Sequence, residues 1–217
     1  MRSSVVPATS DADDGRSEDL DPVVQAAETW SASGGPVLVI AIDGHGASGK
    51  STYADGLARR LGATLVHTDD FFQPSSRRAT SEPAPDDPLG RYYDWRRLRA
   101  EALAPLVAWR EALFRRYDWQ LDEVCGPEVL VAPRPVVILE GVFSSAPQLE
   151  DLVDRAVLME TPENERLRRL RIKVAPEDWD DDWLLAEQVY FTVIRPPSFF
   201  DLVLSAVGGA RAADRVL

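Results

Sequence analysis

The chain has 217 residues, of which 45% are hydrophobic, and this length supports one well-packed core rather than two full domains. Its formal net charge of −12 disfavours nucleic acid or an anionic membrane as the main partner, because both attract basic surfaces. The lone cysteine, Cys125, excludes an intramolecular disulfide, and no apolar stretch has the length of a membrane span or of a secretion signal, so we predict a cytoplasmic protein.

The N-terminal part of the chain divides into a tail and a helix. Residues 1–20 are rich in Ser, Asp and Ala, and they are predicted to form a disordered acidic tail. Asp21 and Pro22 are typical of an N-cap and a first helical residue, so a short helix through Trp30 is expected. Residues 21–217 are predicted to form a single domain.

A phosphate-binding loop follows the first predicted strand, residues 36–42, and leads into a helix over residues 51–61. The loop matches G-x-x-x-x-G-K-[ST] with the residues Gly44, His45, Gly46, Ala47, Ser48, Gly49, Lys50, Ser51 and Thr52. Backbone N–H groups of such a loop point at phosphate oxygens, and the helix N-terminus adds positive charge. Lys50 would then reach the β- and γ-phosphates, and the Ser51 hydroxyl would ligate a metal ion. The sequence therefore predicts a nucleoside triphosphate site, with ATP and Mg²⁺ as cofactors.

Between this helix and the middle of the chain, the pattern predicts a strand, a loop, a helix and a hairpin. The strand, residues 63–67, ends directly before Asp69 and Asp70, and residues 73–89 form a surface loop rich in Pro, Ser and Asp. Asp94 is the expected N-cap of a helix through Arg110. Residues 117–124 and 128–131 are predicted to pair as a hairpin around Cys125-Gly126-Pro127.

The C-terminal half continues the alternation of strands and helices. Strands are predicted at residues 135–139, 155–159 and 201–204, with helices at 163–173 and 179–193. Alternating strands and helical crossovers indicate a doubly wound, mostly parallel α/β sheet of about five strands.

Carboxylates follow two of the predicted strands. Asp69 and Asp70 follow the second strand, and Glu140 follows the third. Because ligands gather beyond the carboxyl ends of parallel strands, these side chains are expected near the triphosphate, where a metal ion and a base are needed. The structural alternative is that they are ordinary turn or cap residues. His45 and His67 lack a third ligand of suitable spacing and are predicted to be a tolerated loop residue and a packed strand-end residue.

The helix at 163–173 carries a run of cations: Arg166, Arg168, Arg169, Arg171 and Lys173. A solvated basic face is one interpretation of this run. The other is a lid, over about residues 163–182, whose arginines neutralise charge on a transferring phosphoryl group.

Taken in order, these motifs resemble the uridine kinase group of small-molecule kinases, which includes phosphoribulokinase and bacterial pantothenate kinase. The resemblance spans roughly residues 36–205. It depends on the phosphate loop, Asp69-Asp70-Phe71-Phe72, Tyr117-Asp118, Ile138-Leu139-Glu140-Gly141, the arginine helix and Asp201-Leu202-Val203-Leu204.

The resemblance implies a role for each matching residue. Asp69 would be the general base that takes the acceptor proton, close to the metal, and Ser51 and Glu140 would complete the metal environment. The acceptor side would consist of a hairpin over about residues 115–132 and of the residues Asp70, Asp94 and Tyr117. Arg169 and Lys173 would be the catalytic lid cations, and the ambiguous register keeps Arg166 and Arg171 as alternative nucleotide-binding cations.

Two departures bear on the substrate. No histidine follows Tyr117-Asp118 within a few residues, whereas uridine kinases usually have one there, and the arginine helix ends in Lys173-Val174 instead of an Arg-Asp pair. We therefore predict an ATP-dependent kinase that phosphorylates a hydroxyl of a small metabolite, with a nucleoside as one candidate. Pantothenate, a sugar, nicotinamide riboside and a catalytically inactive regulatory role stay open, as does a homo-oligomeric state.

Overall fold

The computed structural model describes residues 21–32, 35–78, 90–173, 181–205 and 210–212. The predicted acidic tail, residues 1–20, lies outside the described residues. Within this part of the chain, no helix is both long and apolar enough to cross a membrane.

Helices and strands alternate along the chain as predicted. The helices are α1 (Pro22–Ala32), α2 (Lys50–Leu61), α3 (Ser75–Arg78), α4 (Trp95–Arg97, Leu98–Leu103 and Ala104–Val107 in succession), α5 (Glu163–Lys173) and α6 (Asp181–Val189, continued by Tyr190–Ile194). The strands are β1 (Leu38–Asp43), β2 (Thr64–His67), β3 (Ala112–Phe114), β4 (Tyr117–Asp118), β5 (Glu123–Val124), β6 (Val129–Val131), β7 (Val136–Glu140), β8 (Arg155–Glu160), β9 (Leu202–Ser205) and β10 (Ala210–Ala212). Short 3₁₀ turns occupy Thr68–Phe71, Pro147–Leu149 and Pro197–Phe199.

The central sheet has the strand order β10-β9-β8-β1-β7-β2. Its five strands from β9 to β2 are parallel, and the unpredicted edge strand β10 runs antiparallel to β9. The prediction of a doubly wound, mostly parallel sheet is confirmed. The order places β1 in the middle, between β8 and β7, so the loop after β1 emerges at the centre of the carboxyl edge.

Both faces of the sheet are covered. Every residue of β1 is buried, and alternate side chains enter two separate cores. Ile40 and Ile42 pack with Leu57 of helix α2, whereas Val39 packs on the other side with residues such as Leu103 and Phe143. A strand buried on both faces explains why this segment is continuously apolar in the sequence.

Two predicted elements differ from the structure in detail. Asp94 is the N-cap as predicted, because its Oδ1 accepts a hydrogen bond of 3.0 Å from the Arg97 N–H. The helix ends at Val107 rather than Arg110, and its middle, Leu98–Leu103, is π-helical. The predicted surface loop at 73–89 contains helix α3, and its residues 79–89 lie outside the described part of the chain.

The predicted hairpin is wrong in its pairing. Strand β4 pairs with β5, and β6 pairs with the earlier strand β3, so residues 117–124 do not pair with residues 128–131. The two small ladders follow one another in a ribbon arm, residues 112–131. The pairing with β3 was missed because Ala112–Phe114 is only three residues long and has no turn signal beside it.

Candidate active site

The phosphate loop contains three residues with positive φ, two of which are glycines. Gly44 and Gly49 have φ values of 145° and 99°, and Ala47 has a φ of 62°. A Cβ on Gly44 would lie 2.5 Å from the Met159 carbonyl oxygen, so this position needs glycine. The buried Lys50 begins helix α2, and its Nζ donates a 3.0 Å hydrogen bond to the His45 carbonyl oxygen across the loop. The loop therefore curls around its own lysine.

Glu140 connects the phosphate loop to strand β2. In the sheet register, Glu140 lies opposite both Ile42 of β1 and His67 of β2. Its Oε1 accepts a 3.0 Å hydrogen bond from the Ser51 hydroxyl, and its Oε2 lies 2.7 Å from His67 Nδ1. His67 is half-buried at the end of strand β2, as predicted, and it is also a hydrogen-bonding partner of the carboxylate, which was not predicted. Strand pairing brings His67 to Glu140 across 73 positions, and the start of helix α2 brings Ser51 there across 89 positions.

Asp69 lies two residues beyond His67, and its environment differs from that of Glu140. Burial of the carboxylate, followed by the negative charge of Glu140, raises the pKa of Asp69. Burial also acts to raise the pKa of Glu140, but the His67 hydrogen bond and the Lys50 charge outweigh it and lower that pKa. One carboxylate is therefore held ionised, and the other is a stronger base than an ordinary aspartate.

Tyr93 orients Asp69. Its buried hydroxyl lies 3.2 Å from Asp69 Oδ1, in the geometry of a hydrogen bond to the carboxylate. A β-bridge between Phe72 and Tyr93 brings the two segments together. Tyr93 was not predicted, because a tyrosine 24 residues along the chain carries no pattern that connects it to Asp69.

The donors around Ser51 fit Mg²⁺. Among the described residues, no group of three or more His, Cys, Asp and Glu side chains could enclose a metal ion by itself. Mg²⁺ at nucleotide sites, however, is usually held by one or two carboxylates together with substrate phosphates and waters. The Ser51 hydroxyl and the Glu140 carboxylate, with Asp69 nearby, form such an incomplete oxygen donor set.

The predicted lid cations divide into separate groups. Arg168 and Arg169 pair with Glu165 on their own helix, with Nε–O distances of 2.7 Å. Arg169 also directs Nη1 at the Ser48 carbonyl oxygen at 3.5 Å, so it lies over the phosphate loop. Arg166 Nη1 lies 3.6 Å from Glu187, and Arg171 is exposed. The side chain of Lys173 lies outside the described residues.

The predicted acceptor residues are held by protein partners. Asp70 Oδ2 lies 3.4 Å from Arg116, and Asp94 caps helix α4 with Oδ1 while its Oδ2 lies 3.6 Å from Arg77. The Tyr117 hydroxyl donates a 2.5 Å hydrogen bond to Asp122. These three residues surround the segment after Asp69, but each has a structural partner that the sequence did not indicate.

A group of aromatic rings, which we call the aromatic wall, continues the site beyond Asp69. Its members are Phe72, Tyr92, Tyr93, Phe143, Tyr117, Trp119 and Trp183. Phe72 has its ring centroid 4.6 Å from that of Trp119 and 6.0 Å from that of Trp183. Trp119 is 59% exposed, so one aromatic surface is available to a ligand. The aromatic wall was not predicted, because its members come from five separate segments of the chain.

Glu187 of helix α6 is a further unpredicted site residue. Its side chain is only 2% exposed, and it contacts the phosphate loop through His45 and Gly46. The prediction that His45 is a tolerated loop residue is wrong, because its ring bonds to Glu187 and packs against Phe191. Beside these residues is a cavity of about 700 Å³ between helices α5 and α6, which Arg166 and Thr161 also line.

Comparison with known proteins bears on the fold. No family model matches the chain. Among solved structures, it resembles a possible uridine kinase from Bacillus stearothermophilus, with a TM-score of 0.63 and 21% identity over 84% of this chain and 96% of that chain. It also resembles a protein assigned as a possible fructose transport system kinase from Silicibacter sp. TM1040, with a TM-score of 0.54 and 21% identity over 76% of this chain and 85% of that chain.

The sheet order, the phosphate loop and these likenesses define the class of fold. The chain has a doubly wound α/β fold with a phosphate loop after its central strand, the fold that it shares with these two solved structures. The predicted resemblance to the uridine kinase group is thereby confirmed at the level of the fold.

Proposed function

We propose that the protein is an ATP-dependent kinase that transfers the γ-phosphoryl group to a hydroxyl of a small metabolite. One observation carries this proposal: the Ser51–Glu140–His67 chain of hydrogen bonds joins the phosphate loop to the end of strand β2, two residues before Asp69. A triphosphate-binding loop, a metal donor set and a base of raised pKa therefore meet at one edge of the sheet.

Each residue has a role in this proposal. The loop N–H groups and Lys50 hold the triphosphate, and Ser51 and Glu140 hold Mg²⁺, whose charge offsets that of the phosphates when it is bound. Asp69, oriented by Tyr93, accepts the proton of the acceptor hydroxyl. The hydroxyl oxygen of the acceptor then attacks the γ-phosphorus in line, and ADP leaves as the bond between the γ-phosphorus and its bridging oxygen breaks. Arg169 lies over the loop, which supports its role in neutralising the transferring group.

The aromatic wall supports an acceptor with a flat ring. The exposed Trp119 offers a ring face where it packs on the buried Phe72, close to the segment that carries Asp69, and the Asp70 carboxylate, two residues before Phe72, contacts Arg116. A nucleoside, with its ring and its sugar hydroxyls, matches this combination best. Sugars, nicotinamide riboside and pantothenate are the competing acceptors of the same reaction.

A coupled assay of ADP release tests the proposal. The protein is supplied with Mg-ATP and, one at a time, with nucleosides, sugars, nicotinamide riboside and pantothenate, and product is confirmed by mass. We expect acceptor-dependent ADP release to be fastest with a nucleoside. Lys50→Ala should reduce this turnover by about 100- to 1,000-fold, because the protein loses one of the main positive charges that stabilise the transferring phosphoryl group.

The outcomes separate the alternatives. Turnover with one of the competing acceptors would keep the kinase and correct the acceptor class. Tight ATP binding without turnover on any acceptor would overturn the kinase proposal in favour of a regulatory nucleotide-binding protein.

A further inference from the structure

Four nitrogen groups surround the carboxylate of Glu187: one backbone N–H and three side-chain nitrogens. Oε1 accepts a 2.8 Å hydrogen bond from the Gly46 N–H and a 3.1 Å hydrogen bond from Trp183 Nε1. Oε2 lies 3.2 Å from His45 Nδ1 and 3.6 Å from Arg166 Nη1. Burial acts to raise the pKa of Glu187, but the hydrogen bonds of His45 and Gly46 outweigh it and lower that pKa, so the group is an anion.

This donor set is one that a phosphate group would also use. Gly46 belongs to the loop whose N–H groups bind phosphate oxygens, and Arg166 comes from the arginine helix α5. Arg166 Nη1 is buried and has no hydrogen-bond partner within the described part of the chain, so its contact with Glu187 leaves a donor available. Glu187 therefore occupies a position where the protein has gathered groups for an anion.

The position in the loop indicates which phosphate is concerned. Lys50 is expected to reach the β- and γ-phosphates, and its charge also lowers the pKa of the Glu187 carboxylate. Gly46 belongs to the same loop and donates to Glu187 from its other side. A group that replaced Glu187 between Gly46 and Arg166, within reach of the Lys50 charge, would correspond to the terminal phosphate of ATP, which ADP lacks.

We propose that the Glu187 carboxylate is an internal competitor of the ATP γ-phosphate, and that ATP, unlike ADP, displaces it from Gly46 and Arg166. This inference rests on the proposed function of the site. Glu187 is then a specificity-determining residue, which lowers the affinity for ATP relative to ADP and frees Arg166 only when a γ-phosphate is present.

Trp183 gives this displacement a second consequence. Its indole donates to Glu187 and packs in the aromatic wall, with ring centroids 5.1 Å from Phe143 and 4.8 Å from Tyr92. Movement of Glu187 breaks that hydrogen bond and so changes the environment of the indole. Occupation of the γ-phosphate site is thereby transmitted to the acceptor side.

Calorimetric titration of the full-length protein with Mg-ATP and Mg-ADP, without acceptor, tests the inference. Glu187→Gln keeps the size of the side chain and removes the charge, so it should bind ATP about tenfold more tightly and leave ADP affinity within about twofold. Glu163→Gln is the matched control, because Glu163 is an exposed carboxylate that lines the same cavity. Its two affinities should both stay within about twofold of those of the unchanged protein.

Tryptophan fluorescence tests the same step without altering Glu187. In the unchanged protein, Mg-ATP should change the emission and Mg-ADP should not. Trp183→Phe should abolish the change, although the other five tryptophans remain.

Several results would overturn the inference. These are weaker ATP binding by Glu187→Gln, an equal gain for ATP and ADP, or an identical fluorescence response to both nucleotides. In each of these cases the protein still binds nucleotide, so the result contradicts the role of Glu187 and leaves the proposed kinase function in place. An unchanged protein that binds neither nucleotide would overturn both.

Discussion

Replacement of Asp69 by asparagine should abolish activity while making the protein more stable. Asp69 is exposed as a residue, although protein atoms surround its carboxylate, and its Oδ1 accepts the Tyr93 hydrogen bond, which an asparagine oxygen can also accept. The local geometry is therefore kept and only the proton acceptor is lost. Positioned general bases contribute about 10²- to 10⁴-fold to rate, which corresponds to about 2.7–5.5 kcal/mol of activation free energy.

The expected gain in stability follows from the pKa of Asp69. Protein atoms packed around the carboxylate and the charge of Glu140 raise this pKa above its value in the unfolded chain. At neutral pH the ionised carboxylate therefore disfavours the folded state, and this cost develops as the pH rises through the two pKa values. The asparagine side chain carries no charge, so the thermal unfolding midpoint of Asp69→Asn should lie above that of the unchanged protein at pH 7, and the difference should vanish at acidic pH.

The two effects are measured separately. The coupled ADP assay, with the best acceptor, gives kcat, and thermal unfolding without nucleotide or Mg²⁺ gives stability at several pH values. Glu28→Gln, on the exposed side of helix α1, is the control and should change neither quantity. An Asp69→Asn protein that keeps more than about a tenth of kcat would refute the base assignment, since that loss falls below the range for general bases. A lowered unfolding midpoint would refute the electrostatic argument.

Two further predictions concern stability. Gly141 has a φ of 147°, and a Cβ there would lie 1.8 Å from Thr68 Oγ1, so Gly141→Ala should lower the free energy of unfolding by about 3 kcal/mol or more in urea titration. The control Gly56→Ala, inside helix α2 and with nothing within 4 Å of the added Cβ, should raise it by about 0.5–1 kcal/mol; equal effects of the two changes would contradict the steric reasoning. Hydrogen bonds from Ser75, and then from Tyr117, lower the pKa of Asp122 to about 2. Asp122 therefore stabilises the folded state at pH values above the pKa that it has in the unfolded chain. Asp122→Asn should therefore melt at a lower temperature at pH 7, with the difference closing as the pH falls towards 2, and a difference independent of pH would show that the charge is not involved.

The sequence predicted the sheet and its phosphate loop because both depend on local patterns. Strand β1 is apolar throughout since it is buried on both faces, and the loop motif needs its glycines and Lys50 at fixed spacing. The order of strands along the chain, with helices between them, then implied a parallel sheet. Its carboxyl edge, with Asp69 and Glu140, followed from the same alternation.

The ribbon arm and the aromatic wall could not be predicted in the same way. Strand β3 is three residues long, too short for periodicity to reveal that it pairs with β6. Likewise, Trp119 and Trp183 are aromatic residues in ordinary sequence contexts, and only the folded chain brings both beside Phe72.

By itself, the sequence determined that this protein has a doubly wound sheet with a phosphate loop, because backbone conformation and burial depend on neighbouring residues. Only the tertiary structure decided which groups act on one another. His67 meets Glu140 through strand pairing, and Glu187 reaches Gly46 through helix packing 141 positions away. Such contacts depend on the close approach of distant segments, and a side chain's partner and pKa are properties of that approach rather than of the local sequence.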